Sequence, residues 1–505
     1  MNIIKNNFPA ILFFISLLAV FFFLDYQNIL FLRPQSLHFI RQTDCLSFVS
    51  TYYNLGMDFF EPRMLSLRSV DGKAIGEFPI LYYITALLYK LVGEHEFILR
   101  LINIIIVSTG LYYTFKLLRV LLSDTYYALF FTFLFFSSTI LIYYTNNYLP
   151  DASSFGLTMI AWYFYYSYLS VDNKNKYFGI AIFFFTFATL LKITYGLNLA
   201  AALLSLVIIE ISDNKRLFTK KRIRNFAAFI LAAFIIGIWY LYVITYNQEN
   251  NTQYFLTHIT PIWNLTSDNR SMVMDYIYNY WYTKYYYEST LHVFLGLLVG
   301  SIFLIKHSNR KLLIIAMSTL LGGIIYFLLF YAQFEAHDYY FITLIPAIIL
   351  VVVSSFISIR NRFPKIFNSL YVKLAILALM LLSLNYAKEK LEDRYENAYG
   401  IFATIGKQLN GADEFLNEQK IGDNSTFIVI GDLTPNGSLY FLNRRGWTFP
   451  DLSSMNIMKI KSESLDKADY IVLTSNTMLD NPTIATIPKE KIGIYNNAVF
   501  YKLLR

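Results

Sequence analysis

Cysteine is almost missing from this chain. Cys45 is the only one, so no internal disulfide can form. Charge is scarce too: Asp, Glu, Lys and Arg make up 15% of the 505 residues, against 56% hydrophobic. An ordinary soluble protein is thereby excluded, since at this length it would carry more charge and divide into two or three domains. Histidine is rare, with six copies. No repeat or low-complexity segment stands out.

Apolar sequence is present in long runs, and the mean hydropathy is +0.44. The solvent for much of the chain is lipid. Tyrosine (42) and phenylalanine (46) abound, and tyrosine suits an interface where the ring stays apolar and the hydroxyl reaches water. The net charge of +8 does not point to nucleic acid. The basic residues cluster in short loops between apolar runs, where they report orientation in the membrane. No small-residue cleavage site follows the first run, Pro9 to Leu24, which reads as a retained signal anchor.

A helix needs about 20 apolar residues to cross the hydrocarbon core. Eleven spans are expected: 8–31, 97–118, 126–144, 153–170, 177–192, 196–212, 225–246, 290–305, 312–331, 340–359 and 370–386. A tight turn at 191–196 separates two short ones. The run 78–92 is short for a span, and charge decides its place. If it lies on the membrane surface, the loops holding Lys116 and Arg119, Lys174 and Lys176, Lys215 to Arg224, Lys306 to Lys311 and Arg360 to Lys373 share one side with Lys5. The facing turns 145–152 and 332–339 hold no Lys or Arg. If it spans, those loops fall outside, against the positive-inside rule. The run is therefore read as an interfacial helix.

The expected architecture is a mainly α polytopic helix bundle, residues 1–386, with a cytoplasmic N-terminus. Outer loops cover 32–96 and 247–289, and a small extracytoplasmic α/β domain covers 387–505. The latter has a helical pattern near 398–418 and short apolar runs at 427–430, 470–473 and 498–501, bounded by turn residues.

Ionisable residues at or near membrane depth are functional candidates by default. The outer face gathers His38, Arg41, Asp44, Glu61, Arg63, Glu77, Asp151, Lys192, His258, Arg270, Glu335, His337 and Asp338. Arg, Lys and His stabilise a phosphate by charge-assisted hydrogen bonds, and a nearby carboxylate can deprotonate a hydroxyl. Each has a plainer reading. Thr43 or Asp44 can cap a helix opening an amphipathic stretch, 46–55. Glu77 can be the favourable acid at the start of the interfacial helix, with Pro79 in its first turn. His337-Asp-Tyr-Tyr340 can be a polar interface with two belt tyrosines, or a weak metal signal. Lys192 is the one basic residue in a very tight outer turn; it either pairs with an anion or snorkels to headgroups.

The order of these features resembles the GT-C superfamily of lipid-linked-sugar glycosyltransferases. The chain presents a first span, a long outer loop with an early Asp44, then Glu61-Pro-Arg63 and Glu77-Phe-Pro. A surface helix ending at Gly93 and Phe97-Ile-Leu-Arg100-Leu follow. Within the superfamily it is similar to the protein mannosyltransferase and aminoarabinose transferase group, glycosyltransferase family 39. His337-Asp-Tyr-Tyr340 with Pro346 resembles a motif of bacterial members. Gly431-Asp-Leu-Thr-Pro-Asn436 through Arg445-Gly-Trp447 resembles their outer C-terminal domain.

The resemblance implies an inverting transfer from a polyprenyl- or dolichyl-phosphate sugar, with Asp44 as general base or acceptor-positioning acid. This chain has Asp44-Cys45 where the mannosyltransferases have Asp-Glu, and Phe78 where the aminoarabinose enzymes have a phosphate-binding Lys. Arg63, Lys192, Arg270, His337 and Tyr340 are then the expected phosphate ligands. His38, Arg41, Glu77, Asp151 and Tyr339 position donor or acceptor. Some GT-C enzymes use a divalent metal and others do not, so a cofactor stays open, with Asp44, His337 and Asp338 as its candidate ligands. The expected partners are the lipid donor, the bilayer, and a lipid, glycan or protein acceptor.

Transport or flipping of lipid-linked sugars is the main alternative. A transporter should place charged or helix-breaking residues near mid-bilayer, often in paired halves. Here the mid-span positions are almost all apolar. A polymerase or ligase of surface glycans also fits an outer-face site. Five Asn-x-Ser/Thr triplets, at Asn250, Asn264, Asn269, Asn424 and Asn436, lie on the outer side and matter only where a secretory pathway glycosylates them. The Ile, Asn, Lys and Tyr richness suits an AT-rich bacterial genome, hence an inner membrane with the active site outside.

Overall fold

The computed structural model describes residues 2–170, 175–213, 219–252, 254–255, 259–397 and 400–504. The protein is mainly helical, with a small C-terminal sheet, and it is an integral membrane protein. Two compact units emerge. One comprises Met1–Leu30, Arg100–Leu241 and Thr257–Glu392; the other comprises Phe31–Leu99, Tyr242–Leu256 and Asp393–Arg505. The first outer loop thus groups with the C-terminal segment, where the sequence suggests a division at 386/387.

The eleven expected spans all fall on helical segments, but 8–31 and 126–144 each divide between two helices. Among the described residues, six helices are long and apolar enough to cross a membrane: Phe97–Leu122, Ile193–Ser212, Arg222–Glu249, Arg310–Leu329, Asp338–Arg362 and Leu370–Glu396. A seventh crossing arises if Thr125–Phe136 and Thr139–Thr145, bent by 82°, count as one. Asn7–Phe23, Asn175–Leu191 and Glu288–Phe303 are apolar but shorter. Helix Asp151–Ser170 is long enough but less apolar than those six, with an Asp-Ala-Ser-Ser start. Fifteen of its 20 residues are buried in protein, so lipid does not select its composition. It lies close to helix Phe97–Leu122: a Cβ on Gly110 would sit 2.4 Å from Gly156 Cα, so both positions need small residues for the backbones to approach. By contrast, Ile230, Leu231 and Phe234 of helix Lys220–Glu249 are more than half exposed, as lipid-facing side chains should be.

The second unit is built on a five-stranded sheet: β1 Thr426–Ile430, β2 Arg445–Phe449, β3 Tyr470–Leu473, β4 Lys489–Tyr495 and β5 Ala498–Leu503. Their order is β2-β1-β3-β5-β4. β1 pairs in parallel with β2 and β3, while β5 is antiparallel to β3 and β4. β1 and β3 read as nearly continuous apolar runs because both faces are covered. One face packs Ile428, Ile430, Phe449, Ile471, Leu473 and Val499. The helical pattern near 398–418 resolves into Thr404–Gln408 and Ala412–Glu418, separated by Gly411 at φ 82°; residues 398–399 lie outside the described ones.

Two outer-loop helices complete this unit. Phe39–Leu55 has 12 of its 17 residues buried, including Gln42, Thr43, Asp44, Ser47, Ser50 and Thr51. The expectation of an amphipathic helix capped at Thr43 or Asp44 therefore fails. The helix begins five residues before Asp44, after His38 turns left-handed at φ 56°, and Phe39 anchors its start by stacking on Phe441. Ile80–Val92 is the helix expected on the membrane surface, with Pro79 at its N-cap and Gly93 at its C-cap.

Candidate active site

In the second unit Arg41 and Glu77 gather beside Asp44. Its carboxylate is 2% exposed. Oδ1 accepts a 2.8 Å hydrogen bond from Asn436 Nδ2. Oδ2 lies 3.8 Å from Arg41 Nη1, one turn earlier on the same helix. The Arg41 guanidinium is itself held by Glu77, Nη2 donating at 2.8 and 3.1 Å to its two oxygens. Tyr82 Oη donates to Glu77 at 2.7 Å and lies 3.2 Å from Cys45 Sγ. Glu77 precedes the helix cap and serves this network rather than the helix start. Burial raises the Asp44 pKa to about 6, with Glu77 adding to the rise, against the opposing effects of Arg41 and the Asn436 hydrogen bond. A carboxylate with that pKa is ionised at neutral pH and still basic enough to take a proton. Burial also pushes the neighbouring Cys45 thiol up to about 12, which keeps it protonated.

His38 is half-buried at the left-handed turn before this helix. Arg63 is engaged elsewhere, paired with Glu61 at 2.8 Å and with Asp71. Lys73 and Arg445 close the same surface network, at 3.2 Å from Glu61 and 2.8 Å from Asp71.

In the first unit a second cluster forms around the 191–196 turn. Helix Asn175–Leu191 ends there, and a single 3₁₀ turn, Ile193–Tyr195, leads into Gly196–Ser212. Lys192 Nζ lies 3.0 Å from Asp151 Oδ1, at the first residue of helix Asp151–Ser170. The same nitrogen lies 4.9 Å from the Tyr339 ring centroid and 5.5 Å from that of Tyr340. The His337 ring lies 5.5 Å from Tyr339 and 5.9 Å from Tyr340. Asp338 is fully buried and accepts a 2.7 Å hydrogen bond from Tyr144. Arg270 is exposed, and its guanidinium turns back to the backbone oxygen of Leu265 at 3.1 Å. Glu335 contributes its backbone oxygen to Trp281 Nε1. His258 lies outside the described residues. Arg100 is buried, donating to Asn146 O at 2.7 Å and stacking 4.3 Å from Tyr148, so it braces the 146–150 turn ahead of Asp151.

Among the described residues no group of three or more His, Cys, Asp or Glu side chains is arranged to hold a metal ion. Asn436 is the neighbour that sequence reasoning missed; it appeared in a glycosylation triplet and at the end of the Gly431–Asn436 segment, with no site role, yet it is fully buried with its amide on Asp44.

A family model described as dolichyl-phosphate-mannose-protein mannosyltransferase matches residues 77–240. No curated protein matches in sequence. Among solved structures, ArnT from Cupriavidus metallidurans bound to undecaprenyl phosphate is similar at TM-score 0.62 and 12% identity, covering 98% of each chain. Arabinofuranosyltransferase AftD from Mycobacteria is similar at TM-score 0.54 and 11% identity, over 99% of this chain and 40% of that one. The archaeal oligosaccharyltransferase AglB from Archaeoglobus fulgidus, in complex with an inhibitory peptide and a dolichol-phosphate, gives TM-score 0.51 at 12% identity, over 93% and 70%. The chain therefore has the GT-C fold. Its correspondence with ArnT runs over nearly the whole of both chains.

Proposed function

We propose that this protein is a membrane glycosyltransferase that moves a sugar from a polyprenyl- or dolichyl-phosphate to a hydroxyl of a surface lipid, glycan or protein, with inversion. The observation that carries this reading is Asp44: a buried, singly hydrogen-bonded carboxylate in a fold shared with a protein solved with undecaprenyl phosphate. Asp44 takes the acceptor's proton. The acceptor oxygen bonds to the anomeric carbon from the face opposite the phosphate. The carbon–oxygen bond to phosphate breaks with its electron pair, and the polyprenyl phosphate leaves as a monoester. That leaving group gathers negative charge and needs a cation beside it. Lys192, flanked by Tyr339, Tyr340 and His337, is assigned that task. His38, Arg41, Glu77 and Asp151 orient the groups that react. No step is assigned to a metal.

Eleven spans, a cytoplasmic N-terminus and an outward-facing 387–505 region in a bacterial inner membrane complete the reading. A reporter fused after Arg505 should signal the outer compartment; a cytoplasmic signal would reverse the active-site face. The function itself is tested by incubating native membranes holding the protein with labelled polyprenyl-phosphate sugars. Transfer of label to a new product supports the reading. Label that crosses the bilayer still attached to its lipid would make the protein a flippase.

A further inference from the structure

We propose that Asn436 is a positioning residue of the transfer reaction, fixing Asp44 so that Oδ1 is occupied and Oδ2 is the oxygen that takes the acceptor's proton. The inference rests on Asp44 being the base. It comes from the geometry of an amide with a single workable orientation. Asn436 Oδ1 accepts from Ser66 N at 2.9 Å and from Ser47 Oγ at 3.3 Å. Ser47 Oγ already accepts from Leu65 N at 2.7 Å, so its own proton is free to go to Asn436. Flipping the amide would set its NH₂ against the Ser66 N–H and its oxygen against the Asp44 carboxylate. Nδ2 must therefore face Asp44, 2.8 Å away.

The loop carrying Asn436 is built to hold it still. Gly431 has φ 95°, and a Cβ there would sit 1.9 Å from Thr474 Oγ1. Asp432 Oδ1 accepts from Thr434 N and Oγ1 at 2.7 and 2.8 Å, and its Oδ2 accepts from Ser438 N at 2.9 Å. Gly437 N donates to Thr434 Oγ1 at 2.8 Å, and a Cβ on Gly437 would lie 2.3 Å from that oxygen and 2.7 Å from Phe39 Cε1. A residue kept only for solubility or glycosylation needs none of this. Buried polar groups locked on several sides specify one arrangement. The Gly431-Asp-Leu-Thr-Pro-Asn436 segment thereby gains a role, which is to reach Asp44 from 392 residues away in sequence.

The charged and titratable neighbours of Asp44 are Arg41 and Cys45 on its own helix, Glu77 and Tyr82 at and after the start of Ile80–Val92, and Tyr254. None is altered by changing Asn436. Asn436→Asp keeps the oxygen facing Ser66 and Ser47 but removes the donor and sets a second carboxyl against Asp44. With donor KM unchanged, its kcat at pH 7 should fall at least about tenfold. The acid limb of its pH–rate profile should move up by about one pH unit. Asn436→Ala should move the limb in the same direction, and it carries the test alone if the Asp variant does not fold. Folded variants with wild-type kcat and an unmoved limb overturn the inference. Asp44→Asn in the same assay separates the two levels. If it is inactive while the Asn436 variants are normal, only the positioning role fails; if it is active, the base assignment fails first.

Discussion

Lys192 and Asp151 form a 3.0 Å ion pair in which the lysine side chain is 14% exposed and the aspartate 1%. A cation held this way is pre-oriented, and the faces of Tyr339 and Tyr340 beside it restrict where it can turn. If it receives the donor phosphate, removing it costs one charge-assisted hydrogen bond, about 1.5–3 kcal/mol. Lys192→Ala should therefore raise the donor KM roughly ten- to a hundredfold, with Lys192→Arg between it and wild type. Unchanged donor kinetics in Lys192→Ala would move the phosphate site elsewhere.

The acid limb of kcat/KM should fall near pH 6, because Asp44 acts only when ionised and burial holds its pKa at about 6. Activity is then full above that value and lost as pH drops through it. A rate profile flat to pH 4.5 would contradict this.

Glu77 and Arg41 should move that limb in opposite directions. Glu77 raises the Asp44 pKa and Arg41 lowers it. Glu77→Gln also removes the charge that Arg41 meets at 2.8 Å, which strengthens its pull on Asp44. The limb should shift down in Glu77→Gln and up in Arg41→Ala. Shifts of the same sign in both variants would show that charge is not what tunes the carboxylate.

Asp44 should also carry a stability cost. Its folded-state pKa lies above the unfolded value, so the folded protein binds more protons between about pH 4 and 6 and loses stability as pH rises through that window. The rise of about two pKa units sets that cost at roughly 3 kcal/mol at most. Asp44→Asn, which removes the charge but keeps an oxygen for Asn436, should raise the thermal midpoint at pH 7.5 by a few degrees and change it little near pH 4. A lower midpoint at pH 7.5 would show that the charge stabilises the fold.

Sequence alone carried the parts of this picture that depend on local pattern. Apolar runs and loop charge located the helices. Helix Asp151–Ser170 was legible as the apolar run 153–170, but its burial in protein rather than lipid was not. The tight turn at Lys192 left an anionic partner or the headgroups open, and Asp151 is the anion it pairs with. Contacts between distant segments were not legible. No local signal tied Asn436 to Asp44, or showed that Phe39–Leu55 is buried on nearly all sides and starts before the expected cap. Arg63 looked like a free cation because Asp71 and Arg445, which complete its network, lie in other segments.

The central claim rests on one atom exchange. Native membranes carrying wild type or Asp44→Asn would be given the labelled polyprenyl-phosphate sugar that wild type uses, and the initial rate of product formation measured at pH 7.5. The expected result is a loss of about a hundredfold or more in Asp44→Asn, with undiminished binding of the donor and a protein that inserts and folds normally. Turnover near the wild-type rate would remove Asp44 from the chemistry.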